Sequence, residues 1–155
     1  MKFLVLGIDP GERGAAALLA VDTVRKTPDG LEAVVDVMDW NAFRPLLSRA
    51  NAIITEMQSA SPQMGVRSAF TLGKQAGMLA GLLLALGLPG GVVPPSVWKA
   101  SYGLPGGKEG KRQGMEMARQ LVGSSAAERI ERHDQADAVL LAWWGWCHQP
   151  MPGVH

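Results

Sequence analysis

The sequence predicts a single α/β domain built on a five-stranded mixed sheet flanked by helices. Three observations lead there. The chain has 155 residues, 47% of them hydrophobic, which suits one core and burial of roughly 68–70% of the unfolded surface. Short apolar runs with β-branched members crowd the first third, then alternate with stretches of helical spacing. No internal repeat or linker divides residues 1–149, and only 150–155 reads as a disordered tail.

Phe3–Ile8 is an apolar run, read as a central strand buried on both faces. It ends in Asp9, and Pro10-Gly11 turn the chain at once. Gly14–Val21 is apolar again and returns as the antiparallel neighbour. Thr27–Gly30 has the composition of a turn, and Leu31–Met38 alternates loosely, as a third strand nearer the edge would. Phe43, Leu46 and Leu47 are spaced for a helix over Asn41–Arg49. Ala52–Glu56 is the fourth strand, and it too ends in an acid.

Ser59–Arg67 is polar and reads as a loop, with Ser68 placed to cap a helix reaching Leu86. Within that helix Gly73, Gly77 and Gly81 recur every fourth residue and share a face. Each glycine costs a helix ~0.8–1 kcal/mol against alanine. Three in register therefore imply a close approach, either to the helix's own sheet, the simpler reading, or across a helix–helix dimer seam. Gly91–Val93 is a brief last strand, and Ser96 is placed to cap Val97–Tyr102. Gly103–Gly107 is a flexible loop leading into a basic helix, Lys108–Val122. Ser125–Glu128 carries the capping-box pattern. The last helix runs from near His133 to about His148, with Trp143, Trp144 and Trp146 packing it onto the sheet.

The net charge of +1, from 15 basic and 14 acidic residues, excludes a nucleic-acid binder of strongly basic balance. Charge is nevertheless segregated: Lys99, Lys108, Lys111, Arg112 and Arg119 face only Glu109 and Glu116 in that segment. The one cysteine, Cys147, permits no internal disulfide and reads as a small buried hydrophobe. A reducing, cytoplasmic setting is expected. The apolar start is too short for a signal peptide and is broken by an acid. The longest apolar run, Met78–Leu88, is too short to cross a bilayer, so no membrane partner is expected.

Asp9 and Glu56 become neighbours if the fourth strand lies parallel beside the first. Asp134 and Asp137 share a helical face by their spacing. Each acid has a plain alternative: a turn residue, a surface strand end, or first-turn helix acids gaining ~0.3–1 kcal/mol from the helix dipole. Asp137, however, leads straight into apolar Ala138–Trp144, and a charge entering a buried helix needs a partner. Carboxylates that share a pocket require a cation or a proton. An all-oxygen set suits Mg²⁺ or Mn²⁺ rather than Zn²⁺, and two such ions ~3.5–4 Å apart can stabilise the attacking and leaving oxygens of a phosphodiester. His133 is either a surface residue or a base that steers water. Trp98, beside Lys99, is left open between packing and a place at a DNA patch.

Gly7–Gly11, the strand-ending Glu56, the Leu72–Gly77 segment and Asp134-x-x-Asp137-Ala138, in this order, resemble the RuvC-type Holliday junction resolvases of the ribonuclease H-like superfamily. The likeness runs from about Phe3 to His148. The opening motif alone is shared with sugar kinases and actin-like ATPases; the ordered set is more specific. The resemblance implies a ribonuclease H-like fold and a homodimer that binds a four-way DNA junction. That dimer would nick two opposed strands with Mg²⁺ or Mn²⁺, two ions per active site. It implies Asp9, Glu56, Asp134 and Asp137 as catalytic metal ligands and puts Lys99 and Lys111 near the scissile phosphate. Lys108, Arg112 and Arg67 are the further DNA-binding expectations. The family's helix after the second acid forms its dimer interface, which points to Gly73, Gly77 and Gly81. One departure is the Gln58–Arg67 loop, which holds no aromatic, leaving Met64 or Phe70 as a junction wedge. The Pro94–Lys99 segment and short body look more like phage-encoded members. Cleavage of other branched DNA or RNA–DNA hybrid, and non-catalytic DNA binding on the same fold, stay open.

Overall fold

The computed structural model describes residues 2–11 and 13–151; most of the expected tail, from 152 on, lies outside the described residues. The strands are β1 (Lys2–Asp9), β2 (Ala15–Asp22), β3 (Thr27–Asp36), β4 (Ala52–Glu56) and β5 (Gly90–Val93). The helices are α1 (Trp40–Arg49), α2 (Val66–Leu86), α3 (Pro95–Ser101), α4 (Gly107–Val122), α5 (Ser124–Ala127) and α6 (His133–His148). The strands form one mixed sheet in the order β3-β2-β1-β4-β5. β1 is central as expected, antiparallel to β2 and parallel to β4, and β4 is parallel to β5.

The alternation of side chains along β1 divides the core. Leu6 and Ile8 face α1, packing with Phe43, Leu46, Leu47 and Leu79 of α2. Val5 faces the other way, into the larger cluster with Ile54, Trp98, Ala138 and Leu141. Gly7 lies on that second face because α6 crosses there: a Cβ on Gly7 would collide with the backbone of Ala138 and Ala142. This close crossing carries the first turn of α6 to the C-terminal end of β1. Trp144 is buried in the α6 face of the core, while Trp143 and Trp146 pack against it, as expected.

Several local expectations are corrected. Thr27–Gly30 belongs to β3, not to a turn. The turn lies earlier, where the Asp22 carboxylate accepts from the amides of Val24 and Arg25 and Lys26 takes a left-handed φ of 55°. Pro28 is tolerated because β3 is an edge strand with irregular register. Gly65, not Ser68, is the N-cap of α2. Pro94 caps α3, and Pro95 opens it with a preset φ, so Ser96 lies inside. α5 has no side-chain cap; the reciprocal N3 glutamine sits on α6, where Gln135 Oε1 accepts from the amides of Glu131 and Arg132. Cys147 is exposed rather than buried.

α2 departs most. Only Leu79 of its 21 residues is buried, and a Cβ at Gly73, Gly77 or Gly81 would meet nothing within 4 Å. The glycine stripe therefore does not pack on its own sheet. Although Met78–Leu88 alone is short, the whole of α2 is long and apolar enough to cross a membrane by length and composition.

Candidate active site

In the β1–β4 register Ile8 pairs with Thr55, and one residue further stand Asp9 and Glu56. Parity puts both on the α6 face, since Val5 and Ile54 belong to the cluster beneath α6. Asp137, one turn into α6, completes the group. These three acids line a cavity of about 230 Å³ with Lys99, Lys111 and His133. Leu104, Pro105 and Gly106, in the loop before α4, form its far wall with Gly107 at the start of that helix. Gly110 is obligatory there, because a Cβ would collide with the backbone of Pro105.

The cation among the acids is Lys99. Its Nζ lies 3.0 Å from Asp137 Oδ2 and 3.9 Å from Glu56 Oε2. Burial, followed by the charges of Glu56 and Asp137, pushes Asp9 up to about 7; the Gly11 amide, 3.0 Å from Asp9 Oδ1, opposes this. Burial also raises Glu56 and Asp137, against the pull of Lys99. Burial disfavours the Lys99 ammonium, but Asp137, Glu56 and Asp9 outweigh it and hold Lys99 above its ordinary range. One ammonium does not neutralise three carboxylates; burial is the first cause of all three rises, and at Asp9 the neighbouring charges add to it.

Asp134 is placed differently. It is buried, but Arg132 grips it, Nε to Oδ1 and Nη2 to Oδ2, both at 3.1 Å. The same Arg132 reaches Asp36 at the end of β3, 2.6 Å from Oδ1. Arg13 holds the second oxygen of Asp36 at 3.2 Å. The structure thus brings together Asp9, Glu56 and Asp137 and leaves Asp134 in an arginine clasp outside the cavity lining. Among the described residues no three Asp, Glu, His or Cys side chains already have the spacing of a metal site.

The basic residues also divide. Lys111 lines the cavity and Lys108 is exposed on the first turn of α4. Arg112 is tied down by Glu109 at 2.6 Å and Glu116 at 3.4 Å, on the outer side of α4. Arg67 is exposed at the start of α2, as is Phe70, at 74% of its surface. Sequence reasoning missed Arg132 as the keeper of Asp134, and it left Trp98 open. Trp98 is fully buried, and its Nε1–H donates to Glu56 Oε2 at 2.9 Å. The available signals were adjacency alone: Trp98 precedes Lys99, and Arg132 precedes the acid-bearing turn.

Solved structures share this arrangement of elements. Thermus thermophilus RuvC in complex with a Holliday junction substrate superposes with a TM-score of 0.63 at 20% identity, over 92% of each chain. The fold is that of the RuvC resolvases. A second Thermus thermophilus RuvC structure gives a TM-score of 0.59 at 21% identity, again over 92% of each chain. The yeast mitochondrial Holliday junction resolvase Ydc2 gives 0.55 at 14% identity, over 92% of this chain and 79% of its own. No protein-family model matches the sequence, and none of the curated proteins matches it significantly. The expected ribonuclease H-like fold, with its five-stranded mixed sheet, is the one observed.

Proposed function

We propose that this protein is a divalent-metal-dependent endonuclease that resolves four-way DNA junctions by nicking two opposed strands. The observation that carries the reading is the convergence of Asp9, Glu56 and Asp137 at the strand ends, short of positive charge and open to a basic-edged cavity. The resolvase function of RuvC and Ydc2, which share the fold, supports the choice of substrate.

A hard cation fits this donor set, because every ligand is a carboxylate oxygen and the group keeps a negative excess beside Lys99. Asp9, Glu56 and Asp137 would hold it. The four-carboxylate, two-ion arrangement additionally requires Asp134 to exchange Arg132 for a cation. Mg²⁺ or Mn²⁺ bound there supplies Lewis-acid polarisation of the phosphodiester and a lowered pKa for the attacking water. The chain's own residues do the rest. Lys99 offsets carboxylate charge, and Lys111 faces the cavity where a phosphate enters. The amides opening α4 favour an anion beside them, and Lys108 and Arg67, exposed at the starts of α4 and α2, would be further phosphate contacts. Arg112 is a weaker candidate, being held by two glutamates. His133 lines the cavity and can orient water.

Symmetric nicking requires two active sites, and α2 offers the seam. Val66, Phe70, Met78 and Leu84 are at least half exposed along a helix whose glycine stripe is open. An apolar, glycine-lined face of this kind suits close packing against the same helix of a second copy. A cytoplasmic working place, in a bacterial cell or phage-infected host, goes with this reading.

The experiment is cleavage mapping on labelled four-way, three-way and linear duplex DNA with Mg²⁺, Mn²⁺ or chelator. Paired nicks at symmetric positions of the four-way junction, absent in chelator, are expected. Equal cutting of all substrates would replace the junction with branched or duplex DNA at large. Salt-sensitive binding that survives chelator, with no cleavage at any metal concentration, would leave a DNA-binding protein only.

A further inference from the structure

Trp98 is the largest wholly buried side chain in the molecule's described part, and it is fixed at both ends. Its ring meets Tyr102 edge-on, with centroids 6.2 Å apart, and the Tyr102 hydroxyl donates to the Leu140 carbonyl on α6 at 2.8 Å. Its Nε1–H is spent on one acceptor, Glu56 Oε2 at 2.9 Å. The other oxygen of Glu56 has only a long contact, 3.5 Å, from Gln58 Nε2. The same indole also seats the neighbouring lysine, whose Nζ lies 5.0 Å from the ring centroid. A phenylalanine would fill most of this space; the N–H is the part that packing does not require.

We propose that Trp98 is a positioning residue that holds the Glu56 carboxylate, through its indole N–H, in the orientation that meets a divalent cation. This rests on the metal-dependent nuclease reading above. A lone carboxylate at a strand end swings between rotamers; a buried, immobile donor selects one. Partners of this kind tune a metal ligand without touching the metal. The consecutive pair Trp98-Lys99 on α3 then acts on the same acid, one fixing its direction and the other its charge.

The test is Trp98→Phe, which keeps the buried ring and deletes the donor. Mn²⁺ affinity is measured on DNA-free protein from the paramagnetic resonance of the free ion, beside nicking of a four-way junction. Mn²⁺ binding weakened roughly 10–100-fold, with nicking slowed at low Mn²⁺ and recovering towards wild type at high Mn²⁺, is expected. A variant that binds Mn²⁺ and cuts like wild type overturns the role. The indole N–H resonance of Trp98 in wild-type protein is a second readout should the variant fail to fold. It should shift on adding Mg²⁺ and in Glu56→Gln, and indifference to both overturns the role. Wild-type protein that neither binds Mn²⁺ nor nicks a junction removes the nuclease reading itself and this role with it. Wild-type protein that does both, beside an unaltered Trp98→Phe, removes the role alone.

Discussion

Asp9→Asn is expected to slow cleavage severely and, in chelator, to make the protein more stable. The two effects have one origin. Asp9 is buried beside Glu56 and Asp137, and its carboxyl is pushed from 3.8 up to about 7. A carboxyl whose folded pKa is raised binds its proton more tightly in the native state than in the unfolded one. Its contribution to stability is therefore present below about pH 4 and is lost as pH rises to about 7. At pH 8 the metal-free wild type carries the whole cost, on the order of 2–4 kcal/mol for a shift of this size. Asparagine keeps the shape without the charge, so the gap between variant and wild type should widen across that window. Activity should fall by ~10²-fold or more, since a ligand that stabilises developing charge is lost. Chemical denaturation at pH 4 and pH 8 in chelator, with nicking assays in Mg²⁺, checks both. A variant that is less stable at pH 8, or that cuts at the wild-type rate, would contradict this assignment.

Lys99→Met should have the second-largest effect and the opposite sign in stability. The Lys99 ammonium is the cation among three acids, 3.0 Å from Asp137 and 3.9 Å from Glu56. Removing it leaves the acids mutually repelling. Breaking a fully buried pair in this way costs about 3–5 kcal/mol. Lys99 is 37% exposed in its side chain, so water screens part of this, and a loss of ~1–2 kcal/mol is expected in chelator. A divalent ion that binds the folded state should recover much of it, because linkage rewards the native form. The melting temperature of Lys99→Met should consequently rise more with Mg²⁺ than that of wild type. Nicking should drop roughly 10²-fold, through loss of a fixed positive charge near the phosphate. An unchanged melting temperature in chelator would show that Lys99 does not balance the acids.

The sheet was legible because its code is local. Apolar runs mark β1, β2 and β4, and the acids that end β1 and β4 fall on one face by strand parity. Two errors share a cause. Glycines spaced by four identify a face of α2 but not what meets it, and none of the described residues does. Pro28 and Gly30 have turn composition, but an edge strand with irregular register accommodates both. Of the four acids named from sequence, Asp9, Glu56 and Asp137 line one cavity and Asp134 does not, and the partners of all four were illegible. Nothing in the order of residues says that Arg132 clasps Asp134 and Asp36 together, because Asp36 arrives from β3, 96 residues away in sequence. The bond from Trp98 to Glu56, 42 residues apart, is hidden for the same reason. Such pairings are set by packing over long separations, which periodicity does not encode.

The most direct measurement is an anomalous-scattering map of crystals grown with Mn²⁺. The account predicts a manganese peak in the cavity, contacted by Asp9, Glu56 and Asp137, with Lys99 drawn away from Asp137. Manganese-saturated crystals with no peak there, and with Lys99 still between Asp137 and Glu56, would contradict it.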